Sequence, residues 1–123
     1  MKVIGIEPFE RPVLHQLKWP GKYERTTGKK PPTIEKMSGK EFFAPGSGAI
    51  GVDFPHLHSA ATLCDDIVLI SRKEMSTALK ELERKGFSVG HTSAMSYVVA
   101  KQLDKRIKGK TLVGIFYDLL DRY

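Results

Sequence analysis

The chain has 123 residues, a formal net charge of +6 and a single cysteine, Cys64. At this length one domain with a real hydrophobic core is expected. A lone cysteine excludes an internal disulfide framework and a closed zinc site made of thiolates. No apolar run approaches the roughly eighteen residues of a membrane span, so a soluble protein is predicted, and the lone cysteine favours a reducing cytoplasm.

The basic excess is mild and lies mostly in the first half. Residues 1–50 hold nine Lys or Arg against five Asp or Glu, and residues 51–123 hold eleven against nine. The surplus falls largely within residues 18–40, which are rich in Pro, Gly and Lys. Such a surplus on a loop is typical of a solvated surface, so nucleic-acid binding is not the favoured function.

The first half predicts one strand followed by a long irregular stretch. Residues 2–7, Lys-Val-Ile-Gly-Ile-Glu, form an apolar run that Pro8 ends, which indicates a buried strand within residues 1–8. Residues 9–45 lose periodicity and carry several prolines, so an irregular excursion with at most short pieces of structure is expected. A glycine-rich turn follows at residues 46–51, and residues 58–64 can form one or two helical turns.

Residues 46–123 are predicted to form an α/β segment of the single domain 1–123. Residues 66–70 form an apolar strand, and Ser71 with Glu74 forms a capping box before a helix that Gly86 ends. A second helix opens near Thr92, and residues 111–116 are predicted as another buried strand. Apolar strands separated by amphipathic helices favour an α/β fold of three layers, a mainly parallel sheet with helices on both faces.

Residues 86–100 place small hydroxyl side chains at the start of that second helix. They read Gly-Phe-Ser-Val-Gly-His-Thr-Ser-Ala-Met-Ser-Tyr-Val-Val-Ala. A helix start presents unpaired N–H groups and a positive dipole end, so it suits the polar edge of a ligand. Thr92 can instead be only the N-cap of the helix, since threonine is often found there.

Five segments, in order, resemble the cysteine synthase and cystathionine β-synthase family of fold-type II pyridoxal-phosphate enzymes. Residues 2–8 are similar to its strand Lys-Val-Ile-Gly-Val-Glu-Pro, and residues 46–51 to its turn Gly-Ile-Gly-Ala-Gly. Residues 65–74 are similar to its strand ending in Val-Ser-Asp-Glu-Glu, and residues 86–94 to its Glu-Gly-Ile-x-x-Gly-x-Ser-Ser-Gly-Ala. Residues 109–123 resemble Gly-Lys-Thr-Val-Val-x-Ile-Leu-Pro-Asp-Ser-Gly-Glu-Arg-Tyr. The resemblance implies part of the tryptophan synthase β-like fold.

The resemblance also implies a cofactor, pyridoxal phosphate, and the residues that would bind it. Thr92 takes the place of the family's serine that hydrogen-bonds the pyridine nitrogen, and Ser93 and Asp118 belong to the same matched motifs. Gly48 and Ala49 would face the substrate entrance. A hydroxyl can hydrogen-bond the ring nitrogen without fully protonating it, so the ring withdraws electrons less strongly. This favours elimination and replacement at the β-carbon.

Departures from the family pattern limit the activity that is expected. No residue corresponds to the family's Schiff-base lysine, and its phosphate loop, Gly-Thr-Gly-Gly-Thr, would precede residue 1. Leu119 and Leu120 stand where Ser-Gly is expected, and Ala94 replaces a glycine. We therefore expect a truncated or split relative that does not catalyse β-replacement alone. The alternative is a noncatalytic binding or assembly module, and the expected partner is a complementary N-terminal half or further copies of the chain.

Other chemistry has weaker support in the sequence. His56 and His58 would share one face of a strand, but two such histidines do not by themselves make a metal site. Ser93 lacks the Gly-x-Ser-x-Gly elbow of a serine hydrolase. Trp19 lies among lysines, yet a single tryptophan in a loop more often packs against its own domain than stacks on a base.

Overall fold

A computed structural model describes residues 1–31, 55–116 and 119. The fold is mixed α/β, as predicted, and the described residues form two strands and five helices. These are β1 (Ile4–Pro8), α1 (Val13–Lys18), α2 (Lys22–Thr27), α3 (Pro55–Leu63), β2 (Asp66–Ile70), α4 (Arg72–Arg84) and α5 (His91–Arg106). None of these helices is long and apolar enough to cross a bilayer. The chain divides into two compact units, Met1–Leu69 and Ile70–Tyr123.

In the first unit, β1 and β2 pair in parallel as a two-stranded sheet, which confirms both predicted strands. Asp65 fixes their register, because its Oδ2 accepts the Val3 N–H at 2.7 Å and its own N–H donates to the Val3 carbonyl at 2.8 Å. Gly5 permits the close approach. A Cβ at Gly5 would lie 3.2 Å from both Cys64 Sγ and Ile67 Cγ1.

The predicted irregular stretch contains two short helices, α1 and α2, of six residues each. Lys18, the last residue of α1, connects this stretch to the end of α3. Its ammonium donates to the carbonyl of Cys64 at 2.6 Å and to that of Ala61 at 3.4 Å. A cation at this position satisfies carbonyl groups that the end of a helix leaves unpaired.

The helix α3 confirms the helical turns predicted for residues 58–64 and corrects the interpretation of His56 and His58. Both histidines lie on α3 rather than on a strand. Residues two apart on a helix point to different faces, so the two imidazoles do not share one. Among the described residues there is no group of three or more His, Cys, Asp or Glu side chains that could hold a metal ion.

The second unit begins with the capping box that the sequence predicts. The Glu74 N–H donates to Ser71 Oγ at 3.2 Å, and the Ser71 N–H donates to Glu74 Oε2 at 2.8 Å. The helix α4 then buries Met75, Ala78 and Leu82. It is followed by Gly86 at a φ of 87°, a left-handed conformation that favours glycine and stops the helix as predicted.

A polar cluster on Glu81 joins α4 to α5. Glu81 accepts hydrogen bonds from Lys101 Nζ at 2.6 Å and from the Tyr97 hydroxyl at 2.8 Å, and Lys85 Nζ lies 3.5 Å away. The bonds from Lys101 and Tyr97 lower the pKa of the Glu81 carboxyl from 4.5 to about 2. The cluster is solvent-exposed, so its contribution to stability is small.

We expect the Glu81 carboxyl to titrate well below an ordinary glutamate. Its lowered pKa means that any stabilisation it gives is present above pH 4.5 and is lost as the pH falls toward about 2. Carbon-detected NMR of the side-chain carboxyl measures this directly. Lys101→Ala should move the midpoint back toward 4.5, whereas Lys73→Ala, at another exposed lysine, should leave it unchanged. An ordinary midpoint in the unmodified protein would contradict the cluster.

Residues 111–116 are not a strand, and the prediction of a buried strand there is wrong. The segment has no strand pairing, and all six residues are exposed. The apolar run that suggested a strand pairs with no strand among the described residues, and an apolar pattern produces a strand only where a partner supplies the hydrogen bonds. The sheet in the described part therefore has two strands, and a third layer is not seen there.

Candidate functional site

The start of α5 is the place where the predicted site can be compared with the structure. The N-cap is Gly90, in an extended conformation with φ −75° and ψ 174°, and as a glycine it has no side chain to cap the helix. The first N–H groups of a helix have no partner within it, so this end carries a partial positive charge. Over a helix of 16 residues the geometry suits an anionic or polar ligand edge.

Ser93 lies in the first turn of α5 and is completely buried. Its Oγ has no hydrogen-bond partner among the described residues. A buried hydroxyl without a partner costs about 1–3 kcal/mol, so it is a feature that calls for an explanation.

Thr92 is half-buried beside Ser93, and the structure corrects its alternative interpretation. It is the second residue of α5, with Gly90 as the N-cap, so Thr92 is not a capping residue. Its carbonyl accepts the Ser96 hydroxyl at 3.2 Å, one turn further along the helix. The helix therefore starts at His91, one residue before Thr92, and Gly90 is the N-cap. Glycine is among the residues that are favoured at an N-cap.

A neutral imidazole also lies at this helix start. Burial lowers the pKa of His91, and the charge of Arg72 lowers it further. The positive end of a helix disfavours a second positive charge in the same way. The beginning of α5 therefore combines the positive end of the helix dipole, the half-buried Thr92 and a histidine of lowered pKa, with the charge of Arg72 nearby, an arrangement that suits a polar or anionic ligand edge.

Three predicted site residues cannot be compared with this geometry. Gly48 and Ala49, predicted for the substrate entrance, and Asp118, predicted for cofactor binding, lie outside the described residues. Thr92 and Ser93 are consecutive residues in the first turn of α5, so their proximity follows from the sequence itself.

Buried polar side chains in the first unit were missed by the sequence interpretation. Glu7, at the end of β1, accepts the N–H of Leu14 at 2.8 Å and that of His15 at 3.0 Å, so it caps α1 from outside the helix. His15 is buried too, and burial lowers its pKa, with the charge of Lys22 as the second cause. A Glu immediately before Pro8 gave no signal of this role, because capping by a residue of another element has no fixed spacing.

Trp19 packs within the first unit, as predicted for a lone tryptophan. Its ring meets the His15 imidazole edge-on at a centroid distance of 5.2 Å. The Lys22 ammonium lies 3.9 Å from the ring centroid. Since a cation already covers the ring, Trp19 is not arranged as an open platform for a nucleic-acid base.

The groove between α4 and α5, of about 460 Å³, is distinct from the start of α5. Ala78 and Val98 are among its lining residues, together with the ion pair of Glu81 and Lys101. Neither Thr92 nor Ser93 lines it. The chemistry predicted from the sequence and this concavity are therefore separate features of the second unit.

The sequence matches no protein-family model and no curated protein. A proposal for function rests on the residues themselves and on the geometry at the start of α5.

Proposed function

We propose that residues 1–123 are the C-terminal portion of a three-layer fold-type II pyridoxal-phosphate enzyme of the cysteine synthase and cystathionine β-synthase type. In this role the chain supplies the ring-nitrogen side of the site, while the Schiff-base lysine and the phosphate loop come from residues outside these 123. The observation that carries the proposal is the start of α5, where a helix with a glycine N-cap holds the half-buried Thr92 beside the buried Ser93, whose hydroxyl has no partner among the described residues.

The residues at this helix start fit one edge of the cofactor. A threonine hydroxyl is able to donate a hydrogen bond to a ring nitrogen without transferring a full proton, and Thr92 is partly accessible. The neighbouring Ser93 Oγ lacks a partner among the described residues but is fully buried, so a direct contact with the cofactor requires the first turn of α5 to open. Pyridoxal phosphate, when bound, supplies the electron sink for β-replacement on an amino acid. The task of Thr92 is to orient the ring and keep its nitrogen from full protonation.

Two features of the chain outside this helix start support the same proposal. The parallel pairing of β1 with β2 joins residues 2–8 to residues 65–74, two segments that carry the resemblance. The capping box of Ser71 and Glu74 begins α4 at the corresponding place in the matched pattern.

A noncatalytic assembly module is the second candidate function. It is favoured by residues 111–116, whose apolar side chains are exposed in the structure. The two candidates differ in what they require of Thr92, because only the first gives its hydroxyl a task.

Mixing experiments test the cofactor proposal. We expect the chain alone to retain no pyridoxal phosphate after desalting, as judged by absorbance, because no residue here corresponds to the lysine that would hold it. The chain mixed with a polypeptide that carries the family's lysine and phosphate loop should retain the cofactor stoichiometrically. Equal retention by that polypeptide alone would contradict a contribution from this chain.

Substitutions at Thr92 separate cofactor binding from helix stability. Thr92→Ala should lower cofactor retention by the mixture, and by more than its change in melting temperature accounts for, because Gly90 and not Thr92 is the N-cap. Thr92→Asp keeps the helix favourable, since an acidic residue in the first turn complements the dipole. It should still impair the mixture, because a carboxylate favours protonation of the ring nitrogen. A fully active mixture containing Thr92→Asp would exclude this residue from cofactor chemistry.

Ser93→Ala should stabilise the isolated chain while weakening the proposed site. Removing a buried hydroxyl without a partner relieves a desolvation cost, so the free energy of unfolding should rise by about 1 kcal/mol. Cofactor retention by the mixture should fall. Ser96→Ala is the matched control, because the Ser96 hydroxyl already donates to the Thr92 carbonyl. A loss of stability in Ser93→Ala would show that the hydroxyl has a structural partner.

A further inference from the structure

Residues 111–116, which we name the C-terminal segment, combine a strong preference for β-structure with exposure to solvent. The sequence is Thr-Leu-Val-Gly-Ile-Phe, rich in β-branched and aromatic residues. Val113 is 89% exposed and Ile115 is 74% exposed. Apolar side chains that are contiguous and exposed mark surfaces that another molecule covers.

The sheet of the first unit has an edge that such a segment would complete. Among the described residues β2 pairs only with β1, so the backbone N–H and C=O groups of its other edge have no strand partner there. A two-stranded sheet is marginal in water unless a further strand or a packed helix supports it. An edge of this kind is a template for pairing with another chain.

Charges select β2 over β1, and a parallel over an antiparallel orientation. Asp66, the first residue of β2, is exposed, and Lys110 immediately precedes the C-terminal segment. A segment parallel to β2 therefore brings a lysine beside a carboxylate. Beside β1 the same lysine would approach Lys2.

The antiparallel alternative is disfavoured by the residues that follow β2. In that orientation Lys110 would lie at the end of β2, where Arg72 and Lys73 follow Ser71. Like charges directly opposite each other destabilise strand pairs. The parallel orientation avoids this repulsion.

We propose that the C-terminal segment of one copy adds as a third strand, parallel to β2, to the sheet of a second copy. The second copy is the occupant because each chain carries both the open edge and the complementary segment. A reciprocal exchange pairs both segments and both edges in one closed, two-fold dimer. This inference does not depend on the cofactor proposal, and the two are tested by different measurements.

Sedimentation velocity over a range of concentrations tests the exchange through a matched pair of variants. Val113→Pro removes a backbone N–H that a strand ladder requires, and residue 113 is exposed and outside any helix or strand, so the fold of each copy should remain. The proposed dimer has two strand interfaces, and the proline removes a backbone hydrogen bond from each of them. The dimer dissociation constant should therefore rise about a hundredfold. Val113→Thr keeps the N–H and the β-branched shape, so the dimer should persist.

A charge exchange identifies the edge that the segment occupies. Lys110→Glu and Asp66→Lys should each weaken self-association, and circular dichroism checks that each variant keeps its helices. A mixture of the two variants should form a heterodimer, because one of its two interfaces then pairs the new glutamate with the new lysine. Amide hydrogen exchange should show protection of residues 111–116 only at concentrations where the dimer forms.

Three results would overturn the proposal. The first is a monomer of 13.8 kDa at all practical concentrations. The second is a dimer that Val113→Pro leaves intact, and the third is a dimer without amide protection in the C-terminal segment. Retention of the cofactor in the mixing experiment has no bearing on these results, so the two proposals fail separately.

Discussion

Ile70→Ala is expected to lower the free energy of unfolding by about 4 kcal/mol. Ile70 is the last residue of β2, and no part of its surface is accessible to solvent. Removing its outer atoms loses their burial and leaves a cavity that the surroundings fill only in part. Urea denaturation followed by circular dichroism measures the change.

Ile70→Val is the matched control for this prediction. It deletes one methylene group and keeps the β-branched shape, so a loss of about 1 kcal/mol is expected. The dependence of unfolding free energy on urea should stay the same in both variants, since the surface exposed on unfolding hardly changes. A loss below about 1 kcal/mol in Ile70→Ala would show that the site is less tightly packed than the structure indicates.

Glu7→Ala is expected to cost about 2–3 kcal/mol, because it leaves the N–H groups of Leu14 and His15 without their acceptor. Glu7→Gln keeps an acceptor oxygen and should cost less. Thermal unfolding at pH 7 ranks the two variants. Equal losses would mean that one amide oxygen does not replace the carboxylate, because the two N–H groups bond to different oxygens of Glu7 and the glutamine NH2 faces one of them.

The pH dependence of stability should also change at Glu7. Burial raises the pKa of this carboxyl above 4.5 in the folded chain. The folded state then binds more protons than the unfolded state in that window, so stability falls as the pH rises from 4.5 through the folded pKa. Glu7→Gln should lose this slope. A stability that rises with pH in the same window, and does so only when Glu7 is present, would contradict the raised pKa.

Local signals in the sequence were sufficient to predict where an element ends when its end depends only on neighbouring residues. The bounds of β2 agree with prediction, because its apolar run is followed directly by the capping box of Ser71 and Glu74. Gly86 ends α4 for an equally local reason, its left-handed φ of 87°. Such features involve residues at most a few positions apart, so their spacing is visible in the sequence.

Features that depend on distant residues could not be predicted in the same way. The roles of Glu7 and Lys18 arise from contacts with α1 and the end of α3, and no spacing along the chain indicates them. The error at residues 111–116 has a related cause, because a β-preference in the sequence does not specify which edge provides the partner. At the candidate site, the pair of Thr92 and Ser93 was found from its motif, but the complete burial of Ser93 depends on packing.

Hydrogen-bonded residues are farther apart along the chain in the first unit than in the second, and this separation affects the order in which the two units fold. The non-local hydrogen bonds of the second unit link residues 12 to 28 positions apart, as between Lys85 and Tyr97 and between Gln102 and Glu74. Those of the first unit span 46 positions between Lys18 and Cys64, and 62 between Val3 and Asp65. Closing the longer loops costs about 1 kcal/mol more in chain entropy. The helical pair α4–α5 can therefore form early, and closure of the parallel strand pair is the later and slower event.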